Sequence, residues 1–293
     1  MRNRNSSPQS YKYGLITRIS SHIHRRNSKI HSYEHISQSF FRSLADVTID
    51  SPSLLQNMDL RILNQAKVIY VKSDWLERFL VESKRKLTAR LLLVGSSDFT
   101  INVDLDELLP HSVVCAYIQN SNISDNRRIY TLPIGTEDPG LGLNGLPHLM
   151  SPGRGEKVEK VLVGPFSPTH PERIMLSQQA QQSPVAIVRT SRCSPQRYSR
   201  YAKQFRWIAC PQGNGIDTHR FWESLYRGCI PIVKKSHWST SLKFYDIPMA
   251  ELDQWNAESL TKLVNGPKFH FVPSQIPVLW KRYWLNRIKH IVV

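Results

Sequence analysis

Apolar residues in this chain fall into short unbroken runs separated by stretches of helical spacing, a rhythm that becomes regular near residue 66. KVIYVKSD (67–74) predicts a buried strand and WLERFLVESKRK (75–86) an amphipathic helix with Trp75, Phe79 and Leu80 on one side. RLLLVGSSD (90–98) predicts another buried strand, and residues 104–109 a short helix. Further strands are expected over 113–118 and over 128–133, the last running into LPIG. Strands alternating with helices predict a parallel sheet with helices packed on it, and ligands on such sheets sit beyond the carboxyl ends of the strands.

The rhythm lapses over 137–157, EDPGLGLNGLPHLMSPGRGEK, whose glycines and prolines fit an inter-domain linker or a substrate-facing loop. It then restarts. VEKVLVGPF (158–166) and PVAIVRT (184–190) read as strands around a helix over 171–182 with Ile174 and Leu176 turned inward, and SPQRYSRYAKQF (194–205) as a loop feeding a helix. FRWIAC (205–210) is a further apolar strand, followed by Gly213, Asn214 and Gly215, which tolerate the left-handed backbone of a sharp turn. A helix follows, capped by Asp217 or Thr218, with Phe221, Trp222, Leu225 and Cys229 at helical spacing and Gly228 at its end. IPIV (230–233) closes the unit as a buried strand.

Such a corner suits phosphate. A helix start leaves backbone N–H groups unpaired and carries the positive end of the dipole. Arg220 can reach a phosphate oxygen, and Glu223 can accept from ribose hydroxyls. The alternative is an ordinary capped helix with Arg220 and Glu223 in solvent. Arg189, at a strand tip, and Arg197, near a helix start, can face the same crevice, although five arginines crowd residues 189–206 and most must be solvated. Asp98 ends a strand and can act as a base toward an acceptor hydroxyl, or merely cap a turn. The third small residue of the dinucleotide fingerprint is missing, and no G-K-[ST] follows for a P-loop.

Charge narrows the partners: a formal net charge of +16 over 293 residues favours something anionic, whether nucleotide, acidic glycan, nucleic acid or membrane surface. A large share of that excess lies in the polar segment 1–42, where Glu34 is the only acid. Its histidines His22, His24, His31 and His35 lack accompanying carboxylates or cysteines in a ligand pattern, which argues against metal. Cys115, Cys193, Cys210 and Cys229 lie far apart in or beside apolar runs, so a reducing compartment is expected. The absence of a bilayer-length apolar run or a signal-peptide core points the same way, to the cytosol. The expected organisation is a basic segment 1–42, an α/β lobe over 43–145, a second over 146–272 and a terminal helix over 273–293, basic and aromatic. That last helix suits either packing back on the first lobe or lying on a membrane surface.

GNGIDTHRFWESLYRGCIPIV (213–233) resembles the donor-site signature of exostosin-like glycosyltransferases, a glycine-containing loop, a W-E-A-L type helix and G-x-I-P-V. It is more distantly similar to the α1,3-fucosyltransferase pattern Y-x-T-E-K, with Thr218 at the threonine, His219 at the glutamate and Arg220 at the lysine. SRCSPQR (191–197) is similar to that family's S-N-C-x-x-x-R, with Arg197 at the arginine and Arg192 at the asparagine. The resemblance implies an α/β protein of GT-B type: two Rossmann-like parallel-sheet lobes with a cleft between them, the C-terminal lobe holding a nucleotide-diphosphate-sugar. The donor residues expected are Arg189, Arg197, Asn214, Gly215, Asp217, Thr218, Arg220 and Glu223. Asp98 is the expected catalytic base, with Ser96 where the related stretch T-H-N-S-D has histidine. Asp104-Leu105-Asp106 opens a helix instead of ending a strand, so no obligatory metal and no cofactor beyond the donor are expected. The acceptor would be a glycan or lipid-linked glycan, and the setting a bacterial cytoplasm, peripheral to the inner membrane face, with contact to anionic lipid and no specific nucleic acid. Two rivals are a basic nucleic-acid-binding protein and a non-catalytic glycan-binding relative.

Overall fold

The computed structural model describes residues 34–83, 87–102, 105, 107–123, 127–138, 141, 144–267 and 270–293. His22, His24, His31 and nearly all of the basic segment lie outside them. The segment's end is not peripheral as expected. Helix α1 (Gln38–Arg42), capped by the Ser37 side chain, buries Phe40 and Phe41 because two adjacent aromatics on a polar background find a core to enter.

The first sheet is entirely parallel and runs in sequence order: β1 (Val47–Ile49), β2 (Val68–Lys72), β3 (Leu91–Gly95), β4 (Cys115–Ile118) and β5 (Ile129–Thr131). Helices α2 (Pro52–Gln56), α3 (Leu60–Leu63) and α4 (Leu76–Ser83) carry its first two crossovers. Strands added always on the same side keep every same-handed crossover on one face. That face packs Leu55, Leu63, Phe79 and Leu80 against Ile69, Leu92 and Ala116. The expected helix over 104–109 is replaced by a turn at its described residues, where the N–H groups of Leu108 and Leu109 both donate to Leu105 O. Leu105 and Leu109 still reach the core, so burial is met without a helix.

The second sheet is doubly wound. Its strands are β6 (Val158–Val163), β7 (Ala186–Val188), β8 (Phe205–Ala209), β9 (Ile230–Lys234) and β10 (Ala250–Leu252), and their spatial order is β10-β9-β8-β6-β7, all parallel. Helices α5 (Pro171–Ala180), α6 (Pro195–Ala202), α7 (His219–Tyr226), α8 (His237–Leu242) and α9 (Ala257–Asn265) surround it. Winding reverses between β6 and β8, which is the switch point where such sheets bind ligands. In α5 Leu176 is buried as expected but Ile174 is 51% exposed, since α5 offers the sheet only a narrow apolar stripe through Leu176 and Ala180.

A single core joins the two lobes. The first sheet's other face, including Tyr70, Leu93 and Tyr117, packs with α1 and with α10 (Lys281–Val292), whose Trp284 is fully buried edge-on to Phe41 and Tyr117. Arg287 Nε donates to Tyr117 Oη, and Arg90 Nε to Ile291 O at 2.9 Å. The last helix thus packs back on the first lobe. Leu146, Leu149 and Met150 from the glycine-rich stretch belong to the same core, so part of that stretch is structural. Among the described residues, no helix is long and apolar enough to cross a membrane.

Candidate functional site

Both sheets point their carboxyl ends at one cavity of about 640 Å³. Asp98 follows β3, Ile134 and Glu137 follow β5, Pro165 to Ser167 follow β6, and Gly213 to Arg220 follow β8, so the cavity lies at the second sheet's switch point and takes part of its wall from the first lobe.

The loop between β8 and α7 is built differently from a turn that needs left-handed glycines. Neither Gly213 nor Gly215 has positive φ. They serve close approach instead: a Cβ on Gly213 would fall 2.5 Å from Arg173 Nη2, and one on Gly215 would fall 2.6 Å from Asn120 Nδ2. One glycine therefore makes room for a cation within the lobe, the other for a side chain from the opposite lobe.

Asp217 is not the helix cap. Thr218 occupies the N-cap of α7, with no side-chain capping bond. The Asp217 carboxylate turns into the joint, where Oδ2 accepts from Ile134 N at 2.8 Å and Oδ1 from Trp222 Nε1 at 2.7 Å. Its own N–H donates to Asn120 Oδ1 at 2.8 Å. Burial pushes the carboxyl up to about 7, against the lowering effect of the bonds it accepts. Next along, His219 Nδ1–H donates to Gly135 O at 2.9 Å, because a carbonyl can only accept. In a neutral ring Nε2 is then the basic nitrogen.

The cationic wall is arginine. The Arg220 guanidinium lies between the rings of Phe166, at 4.7 Å, and Tyr198, at 5.2 Å, and Nη2 donates to Pro165 O at 2.7 Å. Its Nη1 is buried with no hydrogen-bond partner, as is the Tyr198 hydroxyl. Arg173 lies 5.8 Å from the same Phe166 ring, with Nε donating to Gln212 O at 2.9 Å and Nη1 to Ser167 O at 3.3 Å. Burial, then the charge of Arg220, pulls Arg173 below the ordinary arginine value. Neither arginine belongs to a described ion pair, so two fixed positive charges share one wall without a protein carboxylate bonded to them. Arg192 adds a third, more exposed, through Nη2 to Ser167 Oγ at 3.3 Å.

Of the expected residues, Asp98, Asn214, Gly215, Asp217, Thr218, Arg220 and Glu223 all line the cavity, and Arg189 and Arg197 do not. Arg189 stacks 4.6 Å over Tyr201. Arg197 is exposed on α6, where only its backbone N–H is used, by the Ser194 cap. Glu223 is buried and paired to Arg227 at 3.2 Å, which itself is 2% exposed and donates through Nε to Leu149 O. Asp98 is exposed and accepts from Asn214 Nδ2 at 3.1 Å across the two lobes. Arg173, Arg192, Tyr198 and Asn120 were not among the expected donor-binding or catalytic residues. Arg173 had a readable signal, since it sits in the first turn of the helix after the switch-point strand β6. Asn120 had none beyond its place after β4.

Among the described residues no group of three histidine, cysteine, aspartate or glutamate side chains is placed to hold a metal ion. All four cysteines are free, three of them buried. Compared with known proteins, the chain matches no protein-family model and no curated sequence.

Proposed function

We propose that the chain is a GT-B-type glycosyltransferase, similar to exostosin-like enzymes, that moves a sugar from a nucleotide-diphosphate donor to a glycan hydroxyl in a cytoplasmic setting. The observation that carries this reading is the pair Arg173 and Arg220, fixed about Phe166 at the switch point with no carboxylate paired to either. Breaking a glycosidic bond to a diphosphate leaves negative charge on the leaving group, and preorganised donors that need no reorganisation stabilise it most. The N–H groups at the start of α7 are such donors, and the buried Arg220 guanidinium sets a fixed positive charge behind them. Arg173 and Arg192 extend the positive wall, and Glu223, held by Arg227, stands one turn further for the ribose.

Two groups on the wall can take the acceptor proton, Asp98 and His219 Nε2. Asp98 is the base in this proposal. It comes from the first lobe, faces the arginine-bearing lobe across the cavity, and is exposed where an acceptor hydroxyl would arrive. Asn214 holds it in the closed joint and would release it or orient it when the acceptor enters.

The test is a thermal-shift screen of the full chain against nucleotide-sugars, followed by a transfer assay with the donor that stabilises it. Stabilisation by one base and sugar, turnover, and a fall of about 10²–10³ in kcat/KM for Arg220→Ala are expected. Unimpaired turnover in Arg220→Ala would remove the physical basis of the reading. A donor bound and never turned over would identify a non-catalytic relative, and tight salt-sensitive DNA binding with no donor affinity would favour the nucleic-acid alternative.

A further inference from the structure

The far end of α7 borders a second hollow that shares no lining residue with the donor cavity. His219 opens the helix at the cavity and Tyr226 closes it at this hollow, about 10 Å away at the usual helical rise. The hollow encloses about 1140 Å³, and Met150, Tyr226, Val272, Trp280 and Tyr283 with several prolines make most of its wall. Val272 on its rim is 52% exposed. A concave, predominantly apolar space with a few polar groups is the usual form of a small-molecule site.

One of those polar groups lacks a partner. His35 lies 4.1 Å from the Tyr226 ring, and its Nδ1 is buried without a hydrogen bond. Burial, with the Lys281 charge second, pushes its pKa down to about 4, so the ring is neutral at physiological pH. In the Nδ1–H tautomer it can donate to a carbonyl oxygen of a guest.

The hollow does not end there. A second concavity of about 510 Å³ adjoins it, sharing His148 and Pro152, and its wall carries Arg154, Arg200 and Lys203 against the single acid Glu156. None of the three cations belongs to a described ion pair. Lys203 is crowded further: burial, then Arg227 and Lys157, lowers its pKa, as expected where positive charge has gathered without enough negative charge. An apolar chamber opening beside a cationic one matches a guest with a hydrocarbon part and an anionic part.

We propose that the two concavities form one site for an anionic phospholipid, its acyl chain among Met150, Tyr226, Val272 and Trp280 and its phosphate on Arg154, Arg200 and Lys203. Burial of methylenes and attraction of basic residues to an anionic surface act in the same direction, so chain and head reinforce each other. The site lies away from the donor cavity and acts as a tether, so its occupancy requires no sugar transfer.

The experiment is co-sedimentation of the full chain with vesicles of pure phosphatidylcholine and with vesicles of roughly one part phosphatidylglycerol to three of phosphatidylcholine. Binding to the mixed vesicles alone is expected. Val272→Asp, in the chamber, and Arg200→Glu, in the cationic wall, should each weaken it about tenfold or more while leaving the melting temperature in place. Brominated acyl chains should quench a fluorescence component that disappears in Trp280→Phe. Equal binding to pure phosphatidylcholine, or no binding, overturns the proposal. So does loss in Arg200→Glu but not Val272→Asp, which would mean a purely electrostatic surface contact. Duplex DNA that competes with the vesicles and shows the same two variant effects would reassign the surface to nucleic acid.

Discussion

Asp217 accepts the backbone N–H of Ile134 at 2.8 Å, so the loop that would receive a donor diphosphate is fastened to the opposite lobe by a buried carboxyl. Asn120 grips the same residue's N–H from the first lobe. Asp217→Asn keeps the shape but turns an acceptor into a donor facing an N–H, and should lose about 1–3 kcal/mol of stability in urea unfolding. Its ordinary value is 3.8 and burial raises it to about 7, so the folded chain holds the proton more tightly than the unfolded one. The stabilising contribution of this carboxyl is therefore complete below the ordinary value and fades as pH rises through about 7. The margin of the native protein over Asp217→Asn should shrink between pH 5 and pH 8. A margin that widens would mean that the hydrogen bonds, and not burial, dominate this group.

Gly213→Ala is expected to act through Arg173. The added methyl lands 2.5 Å from Nη2, at the far end of a flexible side chain, so the guanidinium moves while the fold stays. Titration calorimetry should show nucleoside diphosphate affinity reduced about tenfold, or 1.4 kcal/mol. Arg173→Ala should lose at least as much, and Gly213→Ala in that background should add nothing further.

Glu223 has a structural duty that complicates its removal. Glu223→Ala leaves the Arg227 charge buried and unpaired, at a loss of about 3–5 kcal/mol, visible as a lower denaturant midpoint. Glu223→Gln keeps a hydrogen-bond acceptor and should retain more stability, so any fall in donor affinity in that variant reports on the ribose contact. If both variants are equally stable, the pair with Arg227 contributes little.

Trp284 fills the space between Phe41 and Tyr117 at ring separations of 5.0 and 5.3 Å. Trp284→Ala should destabilise the protein by about 3–5 kcal/mol, measured by chemical denaturation. Leu285→Ala one position on, 50% exposed, should change stability by less than about 0.5 kcal/mol.

The segment β8–α7–β9 was legible because its strands are apolar but for Arg206 and the terminal Lys234, and Phe221, Trp222 and Leu225 repeat at the helical period, so local pattern and burial agree. β1 was not, because Val47, Thr48 and Ile49 stand between Asp46 and Asp50 and form no apolar run. Asp217 reads locally as a cap, yet the tertiary partners Ile134, Trp222 and Asn120 claim both its carboxylate and its N–H. The arginines show the same limit. Sequence proximity favoured Arg189 and Arg197, whereas Arg173 reaches the loop from 39 positions before Gln212, a meeting arranged only by the winding of the second sheet.

The first sheet's sequence-order winding sends its crossover helices to one face, and α1 and α10 supply the cover of the other. That face of residues 47–131 is therefore complete only when residues 281–292 are in place, and a chain without them would present part of the surface around Tyr70, Leu93 and Tyr117 to solvent.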